Sequence, residues 1–411
     1  MTPVQAVQAF FAQHPVKRLG VAVSGGGDSV ALLRAVLAAD LQIDLHVAIV
    51  NHGLRAEAKD EALFVKQLAD QHDLPFDQLD WNGPAATGNL MAQARAARRA
   101  LLGQWARSQS LDAVALGHTQ DDVAETFLMR LQRQSGLDGL AAMAGVSQAD
   151  GMVWMRPLLP VGRAALRDYL SDIGQIWCDD PTNQNEDFDR ARMRKALKSL
   201  QLAGLTPAHI ATSATYLAEA REAMSEALHH FSTRHVRQEF GGLVVTQAAF
   251  TTLPSDQQRR LLACAIQWIA RADYGPRGTG VEGAIKAIAK GRAITLGGVQ
   301  IWHKGSDICM GREFAAVAGC TTNLTATWDD RWCVQGPDLP DGATIGALGD
   351  KGLKQLPDWR DLQVDRRFLL ATPAIWQHEQ VICSPLIEKA PKWQAILAEK
   401  ARDFTTSLLS R

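Results

Sequence analysis

Ser24-Gly25-Gly26-Gly27-Asp28-Ser29 stands between the apolar run Leu19-Gly20-Val21-Ala22-Val23 and a stretch in which Val30, Leu33 and Leu37 recur at helical spacing. The run predicts a buried strand and the spacing predicts a helix. A glycine-rich turn from strand to helix aims free backbone N–H groups, and the positive end of the helix dipole, at any anion placed there. The glycines offer no side chain to block close approach, and Ser24 and Ser29 add hydroxyls. These six residues are therefore candidates for a phosphate cradle. The competing reading is a Gly/Ser turn without a ligand.

The kind of cradle is constrained by what it contains. No Gly-Lys-[Ser/Thr] ending is present, so no lysine reaches toward a γ-phosphate. Val30 stands where the third glycine of a dinucleotide fingerprint would be. Instead the loop carries a carboxylate, Asp28, which would repel bound phosphates unless a divalent metal lay between them. A Mg²⁺-bridged triphosphate is implied, with Asp28 as the metal-ligand candidate. Ser-Gly-Gly-x-Asp-Ser resembles the signature of the PP-loop ATP pyrophosphatases. That resemblance implies ATP cleavage between the α- and β-phosphates, leaving AMP on an activated carbonyl.

A chain of 411 residues and 44.7 kDa predicts two or three domains. Its 46% hydrophobic and 21% charged content is that of a soluble globular protein. No apolar run approaches the ~18 residues needed to span a bilayer, and the N-terminus lacks a basic, then apolar, leader. A cytoplasmic protein with no membrane partner is expected. The six cysteines lie far apart without a C-x-x-C pair, which predicts reduced thiols rather than a zinc or iron–sulfur framework. Net charge is −1, so any binding of RNA must come from local basic patches.

The fold class expected is α/β: residues 1–204 alternate strand and helix, the pattern of a parallel, doubly wound sheet. Strands are predicted at Leu45–Val50, Phe76–Trp81 and Asp112–Gly117, and helices at Asp60–Gln71, Asn89–Ser108 and Asp121–Arg133. Ligands of such sheets bind beyond the carboxyl ends of the strands, where strand order reverses. Residues 205–320 read as a small mixed α+β domain, with helices at Thr206–Phe231, Gln257–Arg271 and Val281–Lys290. There Ala293–Leu296 and Val299–Trp302 form a hairpin turning on Gly297-Gly298. Residues 328–411, rich in tryptophan and in Gly/Pro/Asp turns, read as a β-containing C-terminal domain. Its tryptophans Trp328, Trp332, Trp359, Trp376 and Trp393 suit core packing better than base stacking.

Gly117-His118-Thr119-Gln120-Asp121-Asp122-Val123-Ala124-Glu125-Thr126 is the second informative stretch. Thr119 and Asp122 have the spacing of a helix capping box. Asp122 and Glu125, at i and i+3, share a helix face and can grip an ammonium or a metal. On spacing alone they serve equally well as dipole complements in a first helical turn.

With the cradle, this stretch and Val50-Asn51-His52-Gly53-Leu54-Arg55 resemble the tRNA(Ile)-lysidine synthetase branch of the PP-loop enzymes. The likeness continues through Arg133–Leu137, Arg156-Pro157-Leu158-Leu159, Asp180-Pro181-Thr182-Asn183, Phe188 and the arginines 190, 192 and 194. Weaker likeness lies at Thr295–Gly298, Gly311–Glu313 and Leu353–Arg360. The resemblance implies an enzyme in which ATP adenylates C2 of the wobble cytidine of tRNA(Ile) with a CAU anticodon. The ε-amine of free L-lysine then displaces AMP, giving lysidine. It implies ATP and Mg²⁺ on Ser24–Ser29, lysine on Asp122 and Glu125, and His118 at the nucleotide or the base. Asp28, His118, Asp122, Glu125 and Arg190 are the catalytic candidates. A neutral imidazole at His118 can accept a proton from the attacking amine, or simply hydrogen-bond a loop.

Two basic clusters supply the local charge: Arg95, Arg98, Arg99 and Arg107, and Arg190, Arg192, Arg194, Lys195 and Lys198. Arg95, Arg98, Arg192 and Arg194 are the candidates for tRNA or phosphate contacts, against solvated helix faces as the bland alternative. Two residues depart from the family pattern. Arg99 replaces an aromatic residue, and Gln134 replaces a glycine where φ > 0 may be required. The rival readings are a tRNA thiolase, which the scattered cysteines oppose, a small-molecule amide ligase, and an ATP-binding sensor without turnover. A homodimer is compatible with all of them.

Overall fold

A computed structural model describes residues 1–51, 58–81, 90–149, 151–178, 189–272, 274–388, 391–398 and 403–409. His52–Arg55, Asp180–Asn183 and Phe188 of the motifs above lie outside the described residues. The chain divides into two compact units, Met1–Arg221 and Glu222–Arg411.

The first unit runs α1 (Pro3–Gln13), β1 (Arg18–Ala22), α2 (Gly27–Ala38), β2 (Asp44–Asn51), α3 (Ala58–Asp70), β3 (Phe76–Asp80), α4 (Leu90–Ser108), β4 (Ala113–Leu116) and α5 (Gln120–Gln132). It continues through α6 (Leu137–Leu140), β5 (Val146–Ala149), β6 (Met152–Met155), α7 (Arg163–Asp172) and α8 (Asp189–Leu202) into α9 (Pro207–His235). The sheet order is β3-β2-β1-β4-β6-β5. Every pairing is parallel except β5 with β6. The expected parallel sheet is borne out, with an antiparallel edge strand added. Strand order reverses between β1 and β4, so the loops leaving these two neighbours open the crevice where such sheets bind ligands.

Helices cover both faces. Leu32, Leu33 and Val36 of α2, with Leu166 and Leu170 of α7, join Val21 and Val47 of the sheet in one buried cluster. On the opposite face Leu102, Trp105 and Ala106 of α4 pack with Ala48, Val114 and Trp154. Gly20 makes that second contact possible, since a Cβ there would lie 2.6 Å from the Trp105 ring. The buried indole N–H donates to Asp77 Oδ2 at 2.8 Å, so its one polar atom is satisfied.

The second unit, which takes in the last turns of α9, continues with β7 (Val236–Glu239), β8 (Gly242–Thr246), α10 (Gln247–Thr252), α11 (Ser255–Ala270), α12 (Gly278–Ala289), β9 (Ile294–Leu296), β10 (Val299–Lys304) and β11 (Asp307–Arg312). Its antiparallel sheet, β7-β8-β11-β10-β9, packs on α11 and α12. The β9–β10 hairpin turns on Gly297 and Gly298, both at positive φ (60° and 73°) as a two-residue turn requires. Toward the C-terminus come β12 (Thr321–Thr322), β13 (Trp332–Gln335), β14 (Ala343–Ala347), β15 (Pro373–Gln377), β16 (Gln380–Cys383) and β17 (Gln394–Leu397). They form a four-stranded sheet, β12-β14-β15-β16, and a β13–β17 pair. Trp328, Trp332 and Trp393 are buried core residues there, Trp328 Nε1 donating to Cys320 O at 2.8 Å and Trp393 Nε1 to Pro337 O at 2.7 Å. The structure pairs none of the six cysteines in a disulfide. Among the described residues no helix is long and apolar enough to cross a membrane.

Candidate active site

The cradle forms at the carboxyl end of β1. Gly25 adopts φ +85°, a conformation that L side chains rarely take, and Gly26 starts α2 without any side-chain cap. No side chain of the N-cap residue competes for the N–H groups of the first turn, which suits an anion there. Ser29 Oγ donates to Gly26 O at 2.9 Å and accepts from Ser24 N at 3.1 Å, while the two serine hydroxyls lie 3.2 Å apart. Trp177 and Cys178 flank the loop, and Cys178 N donates to Gly25 O at 3.0 Å.

Across the crevice, β4 delivers His118 and α5. The capping box is present: Asp122 N donates to Thr119 Oγ1 at 3.3 Å, and Thr119 N and Oγ1 both donate to Asp122 Oδ2 at 2.9 Å. Such a cap contributes about 1 kcal/mol. It also fixes the carboxylate, committing Oδ2 to the cap and turning Oδ1 to other partners. Asp121 serves a different helix, for its Oδ2 accepts the Arg163 backbone N–H at 2.7 Å, at the start of α7, whose own N-cap residue Gly162 has no side chain to do so. The two adjacent aspartates therefore cap two helices.

One residue that motif reasoning missed joins the candidates. The Arg163 guanidinium donates from Nε to Asp28 Oδ2 (3.0 Å), from Nη1 to Glu125 Oε1 (3.1 Å) and from Nη2 to Asp122 Oδ1 (3.3 Å). Arg194 Nε also reaches Glu125 Oε1, at 2.8 Å, and Arg190 Nη1 lies 3.9 Å from Asp122 Oδ1. A cation in the first turn of a helix loses about 0.3–1 kcal/mol to the dipole. Three charge-assisted bonds outweigh that here. Glu125 and Thr119 are wholly buried and Asp122 is 5% exposed. Arg98 is half-buried, while Arg95 and Arg192 are exposed.

Burial sets the electrostatics. It raises the Asp28 carboxyl above its usual range despite Arg163. Burial opposes ionisation of Asp122 as well, but Arg163 and the Thr119 N–H prevail and hold it low. Burial, reinforced by Arg156, Arg190 and Arg98 and resisted by Asp122, drops His118 to about 4, so its imidazole is neutral at pH 7. Arg98 is lowered by burial first, then by Arg95. Acids and arginines thus interleave within one crevice, suited to polyanion and ammonium together.

Asp28 is the one carboxylate inside the loop, and so the residue that could hold a metal there. Among the described residues no group of three or more His, Cys, Asp or Glu surrounds a common point. A single carboxylate beside a phosphate cradle fits Mg²⁺, which is commonly held by one or two carboxylates plus substrate phosphates.

The PP-loop domain family matches residues 2–200. A tRNA(Ile)-lysidine synthase of Ruegeria pomeroyi is 41% identical over 409 residues, covering 99% of this chain and 97% of that protein. The chain belongs to the tRNA(Ile)-lysidine synthase family. Another relative of that name, from Bradyrhizobium diazoefficiens, is 39% identical over 70% of this chain and 84% of its own. Among solved structures, a U34-tRNA thiolase from Methanococcus maripaludis is similar at 16% identity and a TM-score of 0.47, covering 53% of this chain and 78% of that one. Within the lysidine synthase family the two departures have structural accounts. Arg99 places its guanidinium 5.7 Å from the centroid of Trp154, keeping a contact with a π face where an aromatic residue is usual. Gln134 takes φ +55°, the left-handed region that glycine enters freely.

Proposed function

We infer that this chain is an ATP-dependent carbon–nitrogen ligase that joins free L-lysine to C2 of the wobble cytidine of tRNA(Ile) with a CAU anticodon. The products are lysidine, AMP and pyrophosphate, by way of an adenylated cytidine. The observation that carries this reading is the placement of two carboxylates, Asp122 and Glu125, on the same guanidinium as the carboxylate of the phosphate cradle. ATP and an amine are then held within one crevice, as a nucleotide-activated amination demands.

Each residue has a task in this reading. Ser24–Ser29 cradle the triphosphate through backbone N–H groups. Asp28 would hold Mg²⁺, which when bound neutralises phosphate charge and eases departure of pyrophosphate. Asp122 and Glu125 take the lysine ammonium. Arg190, with Arg95 and Arg98, stabilises charge on the departing phosphates or the tRNA backbone. His118, neutral and close to Asp122, hydrogen-bonds the nucleotide or the base and can take the amine proton transiently. Arg192 is exposed for backbone contact, and residues 205–320 and 328–411 contribute the remaining tRNA surface. The enzyme acts in the cytoplasm, alone or as a homodimer.

The test is pyrophosphate release by the purified protein with ATP, lysine and the tRNA(Ile) transcript, omitting each in turn. Lysidine should form only with all three, and Asp28→Ala should abolish AMP formation. Pyrophosphate produced from lysine and ATP without tRNA, or ADP in place of AMP, would refute the reading.

A further inference from the structure

Glu125 is wholly buried, yet it divides its oxygens unequally. Oε1 accepts from both Arg163 Nη1 and Arg194 Nε, whereas Oε2 has no hydrogen-bond partner. An unpaired buried acceptor is destabilising, a cost retained most readily where a ligand answers it. Asp122 is similarly divided, with Oδ2 closed by Thr119 and Oδ1 facing Arg163 at 3.3 Å. The acceptor capacity left near α5 is therefore narrow, and guanidiniums define its limits.

The geometry points to Arg163 as a positioning residue that shapes the Asp122–Glu125 pair into a site for an ammonium and closes it to a guanidinium. The inference rests on the lysine reading above. A primary ammonium is a compact donor that can end on Glu125 Oε2 and share Asp122 Oδ1. A free guanidinium seeks two parallel acceptors of one carboxylate, and Arg163 and Arg194 already hold Oε1. Arg163 cannot rotate away cheaply, because its Nε is bonded to Asp28 and its backbone N–H to Asp121. Discrimination between lysine and arginine thus arises from an arginine of the protein itself.

The experiment measures lysidine formation by the full chain with lysine varied and free arginine as competitor, for wild type, Arg163→Ala and Arg163→Lys, with thermal melts of each. Wild type should resist arginine, its inhibition constant lying about a hundredfold or more above the lysine KM. In Arg163→Ala the lysine KM should rise about tenfold and the arginine inhibition constant fall about tenfold. Millimolar guanidinium should partly restore both. Arg163→Lys keeps the charge but loses the three-way fork, so it should move the same way by a smaller factor. Arginine inhibiting wild type near the lysine KM overturns the inference, as does a folded Arg163→Ala with unchanged arginine inhibition. If the alanine variant does not fold, Arg163→Lys decides: wild-type discrimination there overturns it. A wild-type protein that uses no lysine at all contradicts the ligase reading instead, so the two failures are distinct.

Discussion

Gly117, at the end of β4, lies so close to Asp28 that a Cβ on it would stand 2.8 Å from the Asp28 carbonyl oxygen and 3.0 Å from Ser29 Cα. The obstacle is backbone, which cannot step aside as a flexible side chain can. Gly117→Ala must therefore push the cradle away from the strand that carries His118. A misplacement of about 1 Å can cost on the order of a hundredfold in rate. We expect kcat/KM for ATP to fall by about that factor while thermal stability changes little, read from pyrophosphate release and a melt. Wild-type kinetics in Gly117→Ala would show that loop and strand need not be in register.

Glu125→Ala removes the carboxylate that two arginines share. The lysine KM should rise at least tenfold, while adenylation of the tRNA, followed by transfer of label from the ATP α-phosphate, stays detectable. Removing one member of a buried charge cluster destabilises by about 3–5 kcal/mol in the extreme case. The melt must therefore accompany the kinetics. An unchanged lysine KM in a folded variant counts against Glu125 as an amine ligand.

His118 gives a pH prediction with a definite sign. Its ring is lowered to about 4, against an ordinary value near 6.5. Between those values the unfolded chain binds a proton that the folded one refuses. His118 therefore costs no stability above about pH 6.5, and stability is lost progressively as pH falls from there toward 4. The rate should show no step from this residue between pH 6 and 8. An NMR titration of the ring should give a midpoint near 4; a midpoint above 6 would show that burial does not govern it.

What was legible in the sequence was local. The cradle, the Thr119–Asp122 box and the Gly297-Gly298 hairpin each depend on residues within a few positions of one another, and backbone sterics suffice to read them. Arg163 was not legible, because its partners lie 135, 41 and 38 positions away. One signal was available: a cation directly after Gly162 at a helix start, where the dipole disfavours it, asks for acidic company. The β5–β6 hairpin escaped for a similar reason. Its four-residue strands carry too few positions for a period to show. Arg194, read as a tRNA or phosphate contact, is placed on Glu125, a pairing that only the packing of α8 on α5 creates.

Gln134 offers a test in the stabilising direction. At the end of α5, Ser135 N donates to Arg130 O at 3.0 Å and Gln134 N to Leu131 O at 2.9 Å, the paired closure in which the residue after the cap turns left-handed. Gln134 fills that position at φ +55° with an exposed side chain. A non-glycine residue there bears about 1 kcal/mol of steric cost, which glycine relieves, less what glycine adds to the freedom of the unfolded chain. Gln134→Gly should therefore raise the unfolding free energy obtained from chemical denaturation by a few tenths to about 1 kcal/mol, with the lysine KM unchanged. Gln134→Val, β-branched and intolerant of positive φ, should lower it by more. Were valine to match glutamine in stability, the helix would have to end by some other turn.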